Sequence, residues 1–400
     1  MIALDPALTN VDFGDVLMVI VKVVIAFAAL LVAVMLMIWF ERKVVSDFQN
    51  RIGPNKAGPF GILQSLADGI KFFFKEDLIP DRADSFVFKL APYLSLVPAF
   101  LVFAVIPLAG DFSHRGSTGL VTIAGKVTRV QVADPHIGIL FVLAMSSIAV
   151  YGVMLAGWAS GSKYPLLGSV RATAQMVSYE AALGLSVLAV LLQSGSLQTS
   201  NIVIGQTGYQ WNAWMTGIVP FIVFLIAATA ELNRPPFDLV EAEQELVGGF
   251  HTEYSSIRFA MFFLAEFMNA ITMSAVVVTL FLGGPSGPSF GLTGWVADYP
   301  LPFLWFFLKV LLFLFTLVWI RGTLPRFRYD QLMDLGWKFL IPLALGWFLV
   351  LVALRISDDE GWNWGIVAVL LVLGLTALAG LLSKAIRTSE ERRELEEVSD

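Results

Sequence analysis

Long apolar runs alternate with short polar breaks along most of this 400-residue chain. A helix needs about 20 apolar residues to cross the hydrocarbon core of a bilayer. Nine segments meet that requirement, at roughly 16–40, 87–109, 136–158, 172–193, 211–230, 259–282, 302–320, 337–354 and 363–382. The pattern predicts an all-α polytopic membrane protein with about nine transmembrane helices. The first run is long enough to tilt. The second carries Pro92, Pro98 and Pro107, so a kink or broken start is expected there.

Two stretches depart from the apolar pattern. The segment 41–86 opens with the turn formers of ERKVVSDFQNRIGPNKAGPFG and continues as ILQSLADGIKFFFKED. In the second part Ile62, Leu63, Leu66, Ile70, Phe73 and Phe74 recur at helical spacing, opposite Gln64, Asp68, Lys71 and Lys75. That predicts an amphipathic helix lying at the interface or against a partner. Between 110 and 135, TGLVTI and KVTRVQV suggest a short hairpin.

The distribution of basic residues sets the orientation. With the N-terminus outside, 20 of the 26 Lys and Arg fall on the cytoplasmic side. Arg115, Lys126, Arg129 and Arg355 remain outside, while Lys22 and Lys309 lie within spans, where they would snorkel or pair locally. An odd number of spans then puts the charged tail, with Lys384, Arg387, Arg392 and Arg393, in the cytoplasm as well. The N-terminus lacks a basic n-region, and no cleavable signal is expected.

Composition narrows the chemistry. Charged residues make up only 14% of the chain and mean hydropathy is +0.76. There is no cysteine, hence no disulfide and no thiolate ligand for an iron–sulfur cluster. The three histidines, His114, His136 and His251, do not stand at metal-ligand spacing. A nucleotide fingerprint, a nucleophile with a neighbouring base and a basic patch for nucleic acid are all missing, so no catalytic residue is assigned in this chain alone and no nucleic-acid partner is expected.

Against that background the segment Glu231–Ser255, ELNRPPFDLVEAEQELVGGFHTEYS, stands out. Six carboxylates (Glu231, Asp238, Glu241, Glu243, Glu245 and Glu253) share it with one basic residue, Arg234. Glu241, Glu243 and Glu245 alternate, and clustered carboxylates titrate collectively. An ordinary solvated loop would also be acidic, but the RPPFD turn and the Gly248–Gly249 pair argue for a fixed, packed backbone. Glu180 and Glu266 fall inside spans, roughly 10–14 Å from the cytoplasmic end. Intramembrane carboxylates are costly and usually functional, although each could be a neutral packing residue. Glu41 and Glu231 directly follow their spans. The four together suggest a polar path inward, with Tyr179 and Tyr254 as candidate hydrogen-bond partners of the neighbouring Glu180 and Glu253. Arg42, Arg51, Lys56 and Asp68 suit either lipid headgroups or the mouth of a site for an amphipathic ligand, with Phe72–Phe74 toward its tail.

The stretches ERKVVSDFQNRIGPNKAGPFGILQSLADGIKFFFKED, GWASGSKYPLLGSVRATAQMVSYE, AELNRPPFDLVEAEQELVGGFHTEYS and MFFLAEF resemble, in order, the H-subunit family of bacterial NADH-quinone oxidoreductase, respiratory complex I. The resemblance runs over about residues 10–350. It implies a membrane subunit that builds much of a quinone chamber, in loops 41–86 and 231–258. Glu41, Arg42, Asp68, Arg234 and Asp238 map onto that chamber, and Glu180, Glu231, Glu241, Glu243, Glu245 and Glu266 onto a proton-coupling set. Quinone would be a bound substrate. Flavin, haem and iron–sulfur clusters would belong to partners: the iron–sulfur quinone-side subunits of the hydrophilic arm, with small and antiporter-like subunits in the membrane. The expected division is a membrane domain of this family over 1–354, an extra C-terminal helix within 355–383 and a charged tail, 384–400. The ninth span is the departure from an eight-helix family core. A homologous subunit of a hydrogenase-type complex, or a secondary transporter, are the alternative readings.

Overall fold

The computed structural model describes residues 12–112, 118–123, 125–239, 247–288, 290 and 294–361, with isolated positions between 369 and 388. Among these the chain is mostly helical. Seven helices are long and apolar enough to span a membrane: α1 (Phe13–Phe48), α3 (Ser85–Phe103), α4 (Gly138–Ala159), α5 (Lys163–Ser194), α9 (Ser256–Phe281), α10 (Pro300–Thr323) and α11 (Tyr329–Glu360). The amphipathic α2 (Gln64–Phe74), the short α6 (Thr199–Gly205) and α7 (Asn212–Met215), and the 13-residue α8 (Val219–Glu231) are shorter, and single helical turns stand at Pro59–Gly61, Gly249–His251 and Trp295–Asp298. The chain is thus an all-α polytopic membrane protein, and eight of the nine expected spans coincide with these helices. The ninth, 363–382, lies outside the described residues.

The fifth span is shorter than the apolar run over 211–230 predicted. Gly217 and Ile218 both take positive φ, at 83° and 58°, which ends α7 and starts α8 afresh. Ile218 has no glycine-like freedom, so this break is held by its surroundings. Trp347 packs over Gly217, where an added Cβ would lie 2.5 Å from its ring, and donates its indole N–H to the Thr216 carbonyl at 2.8 Å. The second span also differs from expectation: α3 continues through Pro92 and Pro98 but stops at Phe103, so Pro107 lies beyond it.

Packing follows position in the bundle. α9 is central and nearly all of its second half is buried, whereas α1 turns Ile20, Val24, Ile25 and Phe27 outward. In a bilayer, helix association depends on close backbone approach more than on apolar burial. Gly152 and Gly157 of α4 provide it. A Cβ at the first would collide with the hydroxyl of Ser95, and at the second with that of Ser169.

The two ends of the bundle differ. At one end the predicted hairpin forms, with Val121–Ile123 pairing antiparallel to Lys126–Thr128. Lys126 bonds Asp15 and Lys22 bonds Thr128, strapping the hairpin to α1. Asp134 accepts from Arg129, Gln198 and Ser200 and ties α6 to the same end. Lys309 does not snorkel. Its ammonium donates to the carbonyls of Leu282 (2.7 Å), Gly284 (2.9 Å) and Ser286 (2.6 Å), capping the C-terminal end of α9. The opposite end gathers the carboxylates.

A buried carboxylate and guanidinium chain

The carboxylate end is built from α1, α2, the turn after α8, the start of α9 and the end of α10. α1 runs on past Glu41 to Phe48, and Glu41 is buried at 5% exposed. Arg234, 2% exposed, donates from Nη1 to Glu41 Oε2 at 2.7 Å and stands 3.5 Å from Glu266 through Nη2. Arg321 at the end of α10 bonds the other oxygen of Glu41. The guanidinium of Arg234 also lies 4.7 Å from the Phe267 ring centre, within cation–π range. Two arginines and two carboxylates thus form one connected row, Arg321–Glu41–Arg234–Glu266. The two buried members, Glu41 and Arg234, are stable away from water only because each is paired.

The RPPFD turn places Arg234. Its Pro235–Pro236 peptide is cis, and Asn233 takes a positive φ of 51°. Gln175 of α5, 1% exposed, clasps the turn from below. Its amide nitrogen reaches the carbonyls of Ala230 and Phe237, both at 2.8 Å, and Asn233 Oδ1 at 3.1 Å. Phe237 packs edge-on against Tyr179 and tilted against Phe327. Asp238, 8% exposed, accepts from Arg326 at 3.1 Å.

A cavity of about 80 Å³ opens beside this row, lined by both Glu231 and Glu266 together with Asn269, His251 and Phe259. Glu231, at the last position of α8, also lines a second cavity of about 30 Å³ with Ser146 and Thr272. Glu180 accepts a hydrogen bond from Ser147, the next residue of α4, and lies within electrostatic reach of Glu231. The structure therefore brings together Glu41, Arg234, Glu266, Glu231 and Glu180. Glu241, Glu243 and Glu245 lie outside the described residues.

Tyr179 and Tyr254 do not serve the neighbouring glutamates. Tyr179 donates to the Leu332 carbonyl at 2.8 Å, and Tyr254 to that of Phe88 at 3.2 Å, stacking on the Phe88 ring. Burial raises the Tyr254 phenol above its ordinary value, although Arg258 opposes this. Burial also pushes the His251 imidazole down to about 4, between the rings of Phe250 and Phe259.

The segment 41–86 docks on the start of α9. Ser256 donates to the carbonyls of Phe72 (2.9 Å) and Lys75 (2.7 Å), and Ser255 to that of Glu76 at 3.0 Å. Arg258 pairs with Asp77 at 3.0 Å. Arg42 reaches Asp68 at 2.7 Å and so ties α1 to the polar face of α2. The opposite face of α2 stays open, with Leu66, Ile70, Phe73 and Phe74 exposed, while Phe72 packs toward Phe259. Arg42, Arg51 and Arg321 share a broad opening with Glu41.

Sequence patterns do not single out Arg321, Arg326 or Gln175. The arginines have a signal: six acids with one base in 231–255 require cations from elsewhere, and 321–328 is a basic run at the same end. Gln175 has none beyond being an amide in an apolar helix.

Taken as a class, this is a helical membrane protein with a paired row of charges, buried at Glu41 and Arg234 and open at its two ends. The model of the NADH dehydrogenase family matches residues 21–352, and the chain belongs to that family. It is 49% identical to the H subunit of NADH-quinone oxidoreductase of Frankia alni, over 98% of this chain and 85% of that protein. It is 47% identical to the same subunit of Streptomyces avermitilis, over 94% of this chain and 82% of the relative. The H 2 subunit of Koribacter versatilis is 49% identical over 84% of this chain and 96% of its own length. The Frankia alignment is long enough to take in 363–382, so the C-terminal segment is not peculiar to this chain.

Proposed function

We propose that this chain works as the membrane-embedded H subunit of a proton-translocating NADH-quinone oxidoreductase, forming the membrane side of a quinone chamber and the start of the coupling proton path. The observation that carries this reading is the connected row Arg321–Glu41–Arg234–Glu266, which joins the open face near Arg42 and Asp68 to the cavity holding Glu231. Quinone is the substrate that fits the open apolar face of α2 beside a charged mouth. Quinone reduction by a partner's redox centre consumes protons and changes charge at that mouth. The paired arginines would transmit the change, because moving a proton onto Glu41 or Glu266 weakens the hold on Arg234. Glu231, Glu180 and the acidic stretch with Glu241, Glu243 and Glu245 would respond by shifting protonation toward the adjacent membrane subunits.

The basic-residue count supports an orientation with this end in the cytoplasm and the hairpin end outside. The extra C-terminal helix and tail are read as an addition to the functional core. In the assembled complex, Glu231→Gln is expected to depress quinone reductase activity or proton pumping well below wild type. Normal turnover with normal pumping in that variant would sink the reading.

A further inference from the structure

Hydroxyls in these helices mostly satisfy themselves. Ser146 donates to the Leu143 carbonyl at 2.9 Å, Ser274 to Ala270 at 2.8 Å and Thr279 to Ala275 at 2.8 Å. This back-bonding is the usual resting place of a serine or threonine in an apolar helix. Ser95 of α3 and Thr272 of α9 do otherwise. They are 5% and 1% exposed, and neither Ser95 Oγ nor Thr272 Oγ1 has a hydrogen-bond partner among the described residues. Glu231 Oε2 is buried without a partner as well. A buried polar atom left without its hydrogen bond costs roughly 1–3 kcal/mol, so two hydroxyls and one carboxylate oxygen left this way around the same pair of cavities need an account.

The cavities supply it. Ser95 lines the 80 Å³ cavity with Glu231 and Glu266, and Thr272 lines the 30 Å³ cavity with Glu231 and Ser146. Asn269 borders both. A water needs about 10–15 Å³ of such space and two to four polar partners. Both cavities meet the size requirement, and the orphan oxygens meet the second. Beyond Ser146 the character changes. The next cavity, about 10 Å³, is walled by Leu183, Val187, Phe224, Met273 and Leu280.

We infer that Ser95, Asn269 and Thr272 form a water-binding site that bridges Glu266, Glu231 and Ser146, and that it ends against the apolar wall around Phe224 and Met273. Resting on the proton-path reading above, it makes Ser95 and Thr272 positioning residues for the water through which Glu231 exchanges protons. It also gives the path a direction: protons reach Ser146 and Glu180 but do not continue along this chain to the hairpin end.

The test uses the assembled complex. A density map fine enough to resolve water should show ordered waters about 2.7–3.2 Å from Ser95 Oγ and Thr272 Oγ1. Both hydroxyls turned back onto their own helix carbonyls, or a partner side chain filling the cavities, would overturn the site. Thr272→Val keeps the shape and removes the hydroxyl, whereas Thr272→Ser keeps the hydroxyl. Quinone reductase turnover and pumping should fall several-fold in Thr272→Val, with a larger solvent deuterium isotope effect, and return toward wild type in Thr272→Ser. Equal falls in both variants, or none in Thr272→Val, reject the positioning role. If Glu231→Gln is impaired while Thr272→Val is not, this inference alone fails. If Glu231→Gln turns over and pumps normally, the proton-path reading fails, and the positioning role fails with it.

Discussion

Arg234 Nη1 stands 2.7 Å from Glu41 Oε2, joining the turn after α8 to α1 across 193 residues of sequence. Both side chains are nearly inaccessible, at 3% and 6%. Breaking a buried pair costs up to about 3–5 kcal/mol, a loss that Arg321 on the other oxygen of Glu41 would partly offset. Arg234→Leu is therefore expected to lower the thermal unfolding midpoint of the complex or to prevent its assembly. Arg234→Lys should recover only part, because one ammonium cannot reach both Glu41 and Glu266 as the guanidinium fork does. The losses in Arg234→Gln, Glu41→Gln and the double variant should not add. Strict additivity in thermal stability would show that the two residues are not coupled.

Tyr179 presents a cleaner deletion. Its hydroxyl donates to the Leu332 carbonyl, and its ring lies against Phe237 and beside Gly336 in the π-helical turn Leu335–Leu340. Tyr179→Phe keeps the ring and removes the bond, while the Leu332 carbonyl keeps the Leu335 N–H. A loss of about 0.5–1.5 kcal/mol is expected. Thermal unfolding of the purified complex checks it, and an unchanged midpoint would mean that the π turn does not depend on this bond.

Much of this arrangement was legible in the sequence, and the illegible parts share a cause. Apolar run length locates the spans because a bilayer sets a minimum apolar length for a crossing helix. Glu180, Glu231 and Glu266 stood out because carboxylates are rare where apolar residues are required. RPPFD and the glycine pair announced a fixed turn because proline and glycine restrict or release φ locally. Whatever depends on distant partners left no local trace. The bond from Arg321 to Glu41 crosses 280 residues, and the helix break at Ile218 is held by Trp347. Glu41 shows the same limit: its place after an apolar run is local, whereas its burial between Arg234 and Arg321 depends on residues far along the chain.

The glycine pair gives a third prediction. Gly249 takes a φ of 64°, and the turn it makes rests directly on Gly168 of α5. A Cβ at Gly168 would lie 2.9 Å from the Gly249 Cα and carbonyl carbon, closer than side chains tolerate, and the obstacle is backbone that cannot rotate away. Gly168→Ala should lift the 247–251 turn from α5 and shift His251 and Phe250 at the cavity wall. Faster amide exchange across 247–253, with reduced quinone reductase activity, is the expected result. Unchanged exchange would mean that α5 yields at Gly168 and the turn does not.

His251 supplies a pH dependence whose sign can be worked out. Burial lowers its imidazole from 6.5 to about 4, so the folded protein holds it neutral where the unfolded chain would bind a proton. Above pH 6.5 both states are neutral and the group contributes its full stability. As pH falls below 6.5 the unfolded chain gains a proton that the folded one refuses, and stability declines until about pH 4, where the folded form protonates too. The span between the two values corresponds to a loss of order 3 kcal/mol. His251→Gln removes the titration while keeping a polar side chain. The wild type should therefore lose thermal stability relative to this variant between pH 7 and pH 4.5. A constant difference between the two over that interval would show that His251 is solvated in the assembled complex and does not titrate as a buried group.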